Sequence, residues 1–178
     1  MRVGSSISSL SDKKIEDTRT WGLGGLTALI PNYTYQELGV PFQQVQSIRG
    51  IQVFSENPAV STYVDDVNSM DILANGFAFT DIERIEVLRG PQGTLFGRNA
   101  MGGVINVYTK KPTNKTSGFS EVSLGNLGLQ RYSAGFKTPI VSDKLFFGLN
   151  ALYQSQDGYW KNDTTGTGAT DSLSLIHI

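Results

Sequence analysis

Two stretches of alternating apolar and polar residues flank a glycine-punctuated middle in residues 81–112, DIERIEVLRGPQGTLFGRNAMGGVINVYTKKP. Ile85 and Val87 alternate with Arg84 and Glu86, and Val104, Asn106 and Tyr108 alternate with Ile105, Val107 and Thr109. A period of two predicts half-buried strands. Between them Gly90-Pro91, Gly93, Gly97 and Gly102-Gly103 offer positive φ and close backbone approach, while Pro91 fixes φ and cannot donate a hydrogen bond. The block predicts a strand, a compact reversal and a second strand. Before Ile85, Thr80 and Glu83 stand three apart with Asp81 between them, the spacing of a capping box that opens one helical turn.

Upstream, the chain alternates short apolar strands with irregular loops. The strongest helix-like stretch runs through Trp21, Leu23, Leu26, Leu29 and Ile30 and stops at Pro31. Its apolar residues are read as core and carry no chemistry. Strands are predicted around residues 46–50 and over residues 60–67, where Val60, Thr62, Val64 and Asp66 oppose Ser61, Tyr63, Asp65 and Val67. Downstream, a polar linker at residues 113–117 precedes three alternating segments at hairpin spacing. The first, residues 119–126, is ragged. The second places Tyr132, Ala134, Phe136 and Thr138 against Arg131, Ser133, Gly135 and Lys137. The third places Leu145, Phe147, Leu149, Ala151 and Tyr153 against Phe146, Gly148, Asn150, Leu152 and Gln154. Turns are expected at residues 126–128 and 139–143, which makes an up-down-up meander. Strands of about ten residues with one apolar and one polar face suit a transmembrane β-barrel. The same alternation suits a soluble sandwich, and at this level both stay open.

Composition removes several classes of function. The 178 residues carry a formal net charge of −1 and no basic stripe, which excludes an electrostatic footprint for nucleic acid. There are no cysteines, so neither disulfides nor thiolate metal sites exist, and one histidine, His177, builds no metal centre. No apolar run reaches the length of a transmembrane helix. Twenty glycines with 17% charged residues favour a turn-rich, strand-rich chain. Gly97 is followed by Arg98-Asn99 where a phosphate-binding loop needs Lys-Ser/Thr, so nucleotide binding is not expected. Asp65, Asp66 and Asp71 lack the spacing of a calcium loop and are read as turn and strand-end acids. No Ser/His/Asp, Cys/His or metal constellation can be assembled, and neither an enzyme nor a cofactor is expected.

Ser47-Ile48-Arg49-Gly50, the run from Thr62 to Val67 (TYVDDV) and the whole of residues 81–112 closely resemble three motifs of the TonB-dependent outer-membrane receptors. Leu124-Gly125-Asn126, then Pro139, then Asp157-Gly158-Tyr159, are similar to the opening strands of that family's barrel. The resemblance spans about residues 3–165. It departs at Asp66, where the family commonly has glycine, which puts the turn geometry there in question. The resemblance implies an α+β plug domain with a small mixed β-sheet over residues 1–112. The first antiparallel strands of an incomplete transmembrane β-barrel follow over residues 113–171. Residues 172–178 break the pattern and read as a non-native tail. Neither a TonB box before Val3 nor a signal peptide is recognisable, and three strands are too few to close a barrel. The chain is therefore expected to be part of a longer protein.

By the same resemblance, the implied function is energised uptake across the bacterial outer membrane, with the plug as gate and an iron–siderophore complex as the expected ligand. The implied partners are TonB, outer-membrane lipid and a small metal chelate. A glycan importer and a soluble β-rich binding module are the alternatives. Arg49, Arg89 and Arg98, beside Gly50, Gly90, Gly102 and Gly103, are implied to lock the plug to barrel carboxylates, of which Glu121 is the one barrel candidate in this chain. Glu83 and Glu86 are candidates to pair inside the plug. Phe54 and Asn57, with Asn75 and Phe77, lie in the loops that map onto the ligand-facing apices.

Overall fold

A computed structural model describes residues 6–38, 44–54, 57–69 and 78–157. The chain divides into two compact units, residues 1–110 and residues 111–178. The first unit contains β1 (Ser6–Ser11), α1 (Asp12–Asp17), a 3₁₀ helix (Leu23–Ala28), β2 (Tyr33–Glu37), β3 (Gln44–Ile48), β4 (Val60–Val64), β5 (Val67–Ser69), β6 (Ile82–Arg89), α2 (Gly93–Phe96) and β7 (Gly103–Thr109). Five strands form a mixed sheet in the order β1-β6-β7-β4-β5, in which β4 and β7 are parallel and the other pairs antiparallel. β2 and β3 form a separate antiparallel pair.

Register decides what each face of the sheet carries. Leu10, Ile85 and Val107 align across the strands, as do Val87, Ile105 and Thr62. These side chains share one face, and Leu23, Leu26, Ile30, Tyr33 and Ile48 join them in a single buried cluster. Leu23 and Leu26 are three apart, the period at which 3₁₀ side chains line up, so the stretch predicted as a short packed helix buries its leucines in that tighter form. Pro31 follows its end. A polar seam crosses this core: the Tyr33 hydroxyl donates to Gln46 Oε1 at 3.3 Å, and Gln46 Nε2 donates to Thr62 Oγ1 at 3.2 Å. The opposite face aligns Ser61 with Val104 and Leu88, and Tyr63 with Asn106 and Glu86.

Two sequence expectations are overturned in this unit. Thr80 and Glu83 do not cap a helix, because Asp81 takes φ 55° and β6 runs extended from Ile82. A helical turn would pull Ile82, Ile85 and Val87 off the core face. A bulge between Ile82 and Arg84 lets residues three apart both point inward. The strand expected over residues 60–67 breaks at Asp65-Asp66, where φ of 47° and 69° form a two-residue hairpin turn between Val64 and Val67. Two positive φ angles in a row are the primed geometry that follows strand twist, and aspartate tolerates it better than most residues. The Asp65 carboxylate also accepts from Thr109 N at 2.9 Å and Thr109 Oγ1 at 2.7 Å, which ties the turn to the end of β7.

The second unit is the predicted meander: β8 (Ser117–Leu124), β9 (Gln130–Val141) and β10 (Leu145–Ser155), antiparallel in the order β10-β9-β8. Val122, Tyr132 and Tyr153 form one cross-strand row on a face that also carries Phe136, Phe147 and Leu149, and these large apolar side chains are exposed. The other face holds Ser123, Arg131 and Gln154 in one row, and Arg131 and Ser133 are buried there. Arg131 Nη1 donates to Gln154 Oε1 at 3.0 Å. The first turn falls where expected, with Leu127 and Gly128 at φ 58° and 64°. The second falls later, since Pro139 to Val141 continue β9 and the reversal comes at Asp143, φ 60°. Pro139 is accommodated by a register shift at Leu145/Phe146, which leaves Ile140 without an opposite residue. Among the described residues no helix is long and apolar enough to cross a membrane, which says nothing about crossing by strands.

Candidate functional site

At one end of the first unit's sheet, Val60, Gly103, Arg89 and Ser6 lie in register on four strands. The IRG motif arrives beside them as a turn. Arg49 and Gly50 take φ 55° and 78°, and Ile51 N donates to Ile48 O at 3.1 Å, closing a two-residue reversal at the end of β3. Glycine at the second position meets the positive φ without strain. Arg49 N donates to Asn32 O at 2.8 Å, which fixes the turn against the residue preceding β2.

The chain then closes the same corner from the other side. Gly90 N donates to Gly102 O at 3.0 Å, and Gly102 N donates to Ala59 O at 2.9 Å. Gly103, at φ 154°, leaves no room for a side chain: a Cβ would lie 2.4 Å from Leu88 O and 2.9 Å from Ile48 Cδ1. The predicted residues Arg49, Gly50, Arg89, Gly90, Gly102 and Gly103 thus share one junction, and Arg49 Nη1 lies 3.8 Å from where a Cβ on Gly90 would stand. Arg49 is exposed, Arg89 is half-buried, and neither enters an ion pair with a described residue. Arg89 Nε is buried without a hydrogen-bond partner among the described residues.

Residues 90–102 leave the junction as a compact excursion over the second face of the sheet. Gln92 N donates to Ala100 O at 2.9 Å across its neck. Two side chains of β4 hold it down. Ser61 Oγ donates to Asn99 O at 2.9 Å, and the Tyr63 hydroxyl donates to Phe96 O at 2.9 Å. The Tyr63 and Phe96 rings meet edge-on with centroids 5.3 Å apart, and Asn68 Nδ2 donates to the Tyr63 hydroxyl at 3.0 Å. The sequence pattern by itself marks no role for Ser61 or Tyr63. Their shared face on β4 was readable, but not the excursion that covers it. Leu95 and Met101 are exposed on the excursion, as is Arg98.

Glu83 and Glu86 lie away from the junction, and neither pairs with a candidate arginine. Both hold Arg84, through Glu83 Oε1 to Nη1 at 2.9 Å and Glu86 Oε1 to Nε at 2.8 Å. The guanidinium also stacks 3.8 Å from the Tyr108 ring centroid. The hydrogen bond that Arg84 Nε donates to Glu86 is the main cause holding the Arg84 pKa above its ordinary value. Burial raises the Tyr108 phenol, with Glu86 and Asp66 adding to the effect. At the far end of the sheet Lys110 Nζ pairs with Asp12 at 3.4 Å and Glu16 at 3.5 Å. The Asp12 carboxyl is held below its usual range, chiefly by the Lys13 backbone N–H.

Of the ligand-facing candidates, Phe54 is exposed and Asn57 lies exposed outside helix and strand. Asn75 and Phe77 fall outside the described residues. Glu121 accepts from Ser123 Oγ at 3.0 Å and Ser133 Oγ at 3.5 Å within its own meander. No group of three or more His, Cys, Asp or Glu is placed to hold a metal ion among the described residues. The geometry is that of a braced junction.

The family model of the TonB-dependent receptor plug domain matches residues 1–104. The pesticin receptor of Yersinia pestis is 31% identical over 160 residues, which cover 89% of this chain and 24% of that protein. The crystal structure of the ferric yersiniabactin uptake receptor FyuA from Yersinia pestis superposes with a TM-score of 0.85 at 32% identity, covering 92% of this chain and 26% of that one. The ferripyoverdine receptor of the Pseudomonas aeruginosa outer membrane, at 19% identity and a TM-score of 0.75, shares the fold. The chain spans about a quarter of the length of these relatives.

Proposed function

The chain belongs to the TonB-dependent receptor plug domain family, and from that membership we propose that it supplies the plug and opening barrel strands of an outer-membrane receptor that imports a ferric chelate. Residues 1–112 act as the gate and residues 113–171 begin the barrel. The observation that carries this reading is the match to the ferric yersiniabactin uptake receptor, which extends over 92% of the chain and therefore beyond the plug. The exposed row of Val122, Tyr132 and Tyr153, above a buried polar face, supports a wall with lipid outside and a polar lumen inside.

Gating requires a plug that is rigid locally and released as a unit. The junction of Arg49, Gly50, Arg89, Gly90, Gly102 and Gly103 supports that role, because its backbone bonds bind the ends of β2, β3, β4, β6 and β7 while two cations there find no described carboxylate. A half-buried cation is costly without an opposite charge. In the proposed receptor Arg49 and Arg89, together with Arg98, meet carboxylates on the barrel wall, and removing the pull of the TonB system leaves them paired. Phe54 and Asn57, with Asn75 and Phe77, are the proposed plug contacts of the ligand; aromatic and amide side chains suit stacking and hydrogen bonding to an organic chelate. The activity is transport, with no catalytic step.

The test is a deletion strain complemented with the full-length receptor and grown on defined ferric chelates or on glycans as limiting nutrient. The protein is expected in the detergent-extracted outer-membrane fraction as a heat-modifiable band, with growth restored on a ferric chelate. Recovery in the soluble fraction, or rescue on a glycan alone, contradicts the proposal.

A further inference from the structure

Residues 111–116 carry no regular secondary structure, yet two of their side chains are bonded to the meander. Asn114 Nδ2 donates to Asp143 Oδ1, and the Asp143 backbone N–H donates back to Asn114 Oδ1 at 2.9 Å. The hydroxyls of Thr116 and Thr138 lie 2.9 Å apart. The β8–β9 register pairs Ser117 with Lys137 and Gly118 with Phe136. Continued backwards, it sets Thr116 opposite Thr138 and Lys115 opposite Pro139. Proline offers no N–H, so the backbone ladder stops there. Side-chain bonds take over where backbone bonds end.

We propose that Asn114 and Asp143 form a clasp that makes the linker part of the strand meander, so that the fixed portion of the chain begins at residue 114 rather than at Ser117. The two groups are reciprocal. The carboxamide presents one donor and one acceptor, and Asp143 answers with its carboxylate and its N–H. Asp143 stands at φ 60° between β9 and β10, a left-handed position that aspartate and asparagine tolerate. With Asp143 in place, neither alanine nor a carboxylate at position 114 can reproduce the pair. In the proposed transport cycle the clasp sets Thr113 as the last residue that a pull on the plug displaces. That consequence rests on the transport reading; the clasp does not.

Amide-resolved hydrogen exchange on the full receptor in detergent tests it, using N114A, N114D and the double swap N114D/D143N. N114A removes both bonds, and N114D sets two carboxylates against each other. The swap restores one donor facing one acceptor, with an amide at position 143 that still suits a left-handed φ. Exchange at the amide of residue 143 and over residues 117–119 is expected to rise about ten-fold in each single variant, as loss of about 1.4 kcal/mol produces, and to return to within about two-fold of wild type in the swap. Unchanged exchange in both single variants overturns the clasp. So does a swap that exchanges as fast as N114D, or a rise spread evenly over β9 and β10 with no recovery. None of these readouts involves ligand or transport, so the transport reading is judged separately.

Discussion

Replacing Gly103 by alanine strikes the point where the junction has no slack. The added Cβ would stand 2.4 Å from Leu88 O and 2.9 Å from Ile48 Cδ1, at a backbone φ of 154°. Ile48 Cδ1 is the end of a side chain and can rotate, but Leu88 O is backbone within β6. Relief must come from separating β6 and β7 where Arg89 faces Gly103 and Leu88 faces Val104. Backbone strain at such a φ costs about 1–3 kcal/mol, and overpacking adds about 1–3 kcal/mol. Together they come to about 2–6 kcal/mol, and the middle of that range, about 3–4 kcal/mol, is the expected loss, near the upper end of single-site effects. Gly93 is the matched control, with no positive φ and nothing within 4 Å of a Cβ. There alanine costs nothing and gains up to about 1 kcal/mol in helix propensity. In amide exchange on the full receptor, G103A is expected to lower protection in β6 and β7 by about a hundred-fold or more, the factor for about 3 kcal/mol, while G93A leaves both strands unchanged. Protection in G103A within about three-fold of wild type would refute the claim that this corner is sterically closed.

Three further outcomes follow from the same structure. Tyr63→Phe keeps the ring against Phe96 but loses the bonds to Phe96 O and from Asn68, so the excursion over residues 92–99 is expected to loosen by about 1–2 kcal/mol and to exchange about ten-fold faster or more; unchanged exchange would remove Tyr63 as its anchor. Asp66→Gly relieves a left-handed φ of 69° and is expected to stabilise the β4–β5 turn by about 0.5–1 kcal/mol, seen as slower exchange at Val67. Burial raises the phenol pKa of both Tyr33 and Tyr35 above the ordinary 10.0. Because the folded-state pKa is the higher one, the stability they contribute is complete below about pH 10 and is lost as pH climbs beyond it. Tyr35→Phe should therefore move the midpoint of alkaline unfolding, read by circular dichroism, to higher pH.

What the sequence disclosed tracks how many residues share each signal. β6 from Arg84 onward, β7 and the two longer meander strands alternate over six or more residues and are legible in type and in facing. β1 escaped because in SISSLS its two apolar residues, Ile7 and Leu10, are three apart and fall on opposite faces, and α1 escaped because its six residues bury one side chain, Ile15. Ser11, which accepts from Lys14 N, was the available sign of α1. β2 is signalled only by Tyr33 and Tyr35 alternating with Thr34 and Gln36, in a strand of 5 residues that buries one side chain. The Thr80–Glu83 capping signal lost to tertiary burial of β6, and Pro139 marked a register shift rather than a turn. The glycines of the junction were visible as backbone devices. Which carboxylate met which arginine was not, since Arg84 sits between Glu83 and Glu86 in the chain but wins both only because strand geometry and the Tyr108 ring hold it in reach.

The most direct test of the transport reading is uptake of radiolabelled iron, delivered as a defined ferric chelate, into a receptor-deletion strain carrying the full-length gene. Accumulation is expected to exceed that of the deletion strain and to fall to its level when TonB is absent or the proton-motive force is collapsed. Accumulation that persists equally without TonB, or that never exceeds the deletion strain with any ferric chelate, would contradict the assignment of this chain as the plug of an energised ferric-chelate receptor.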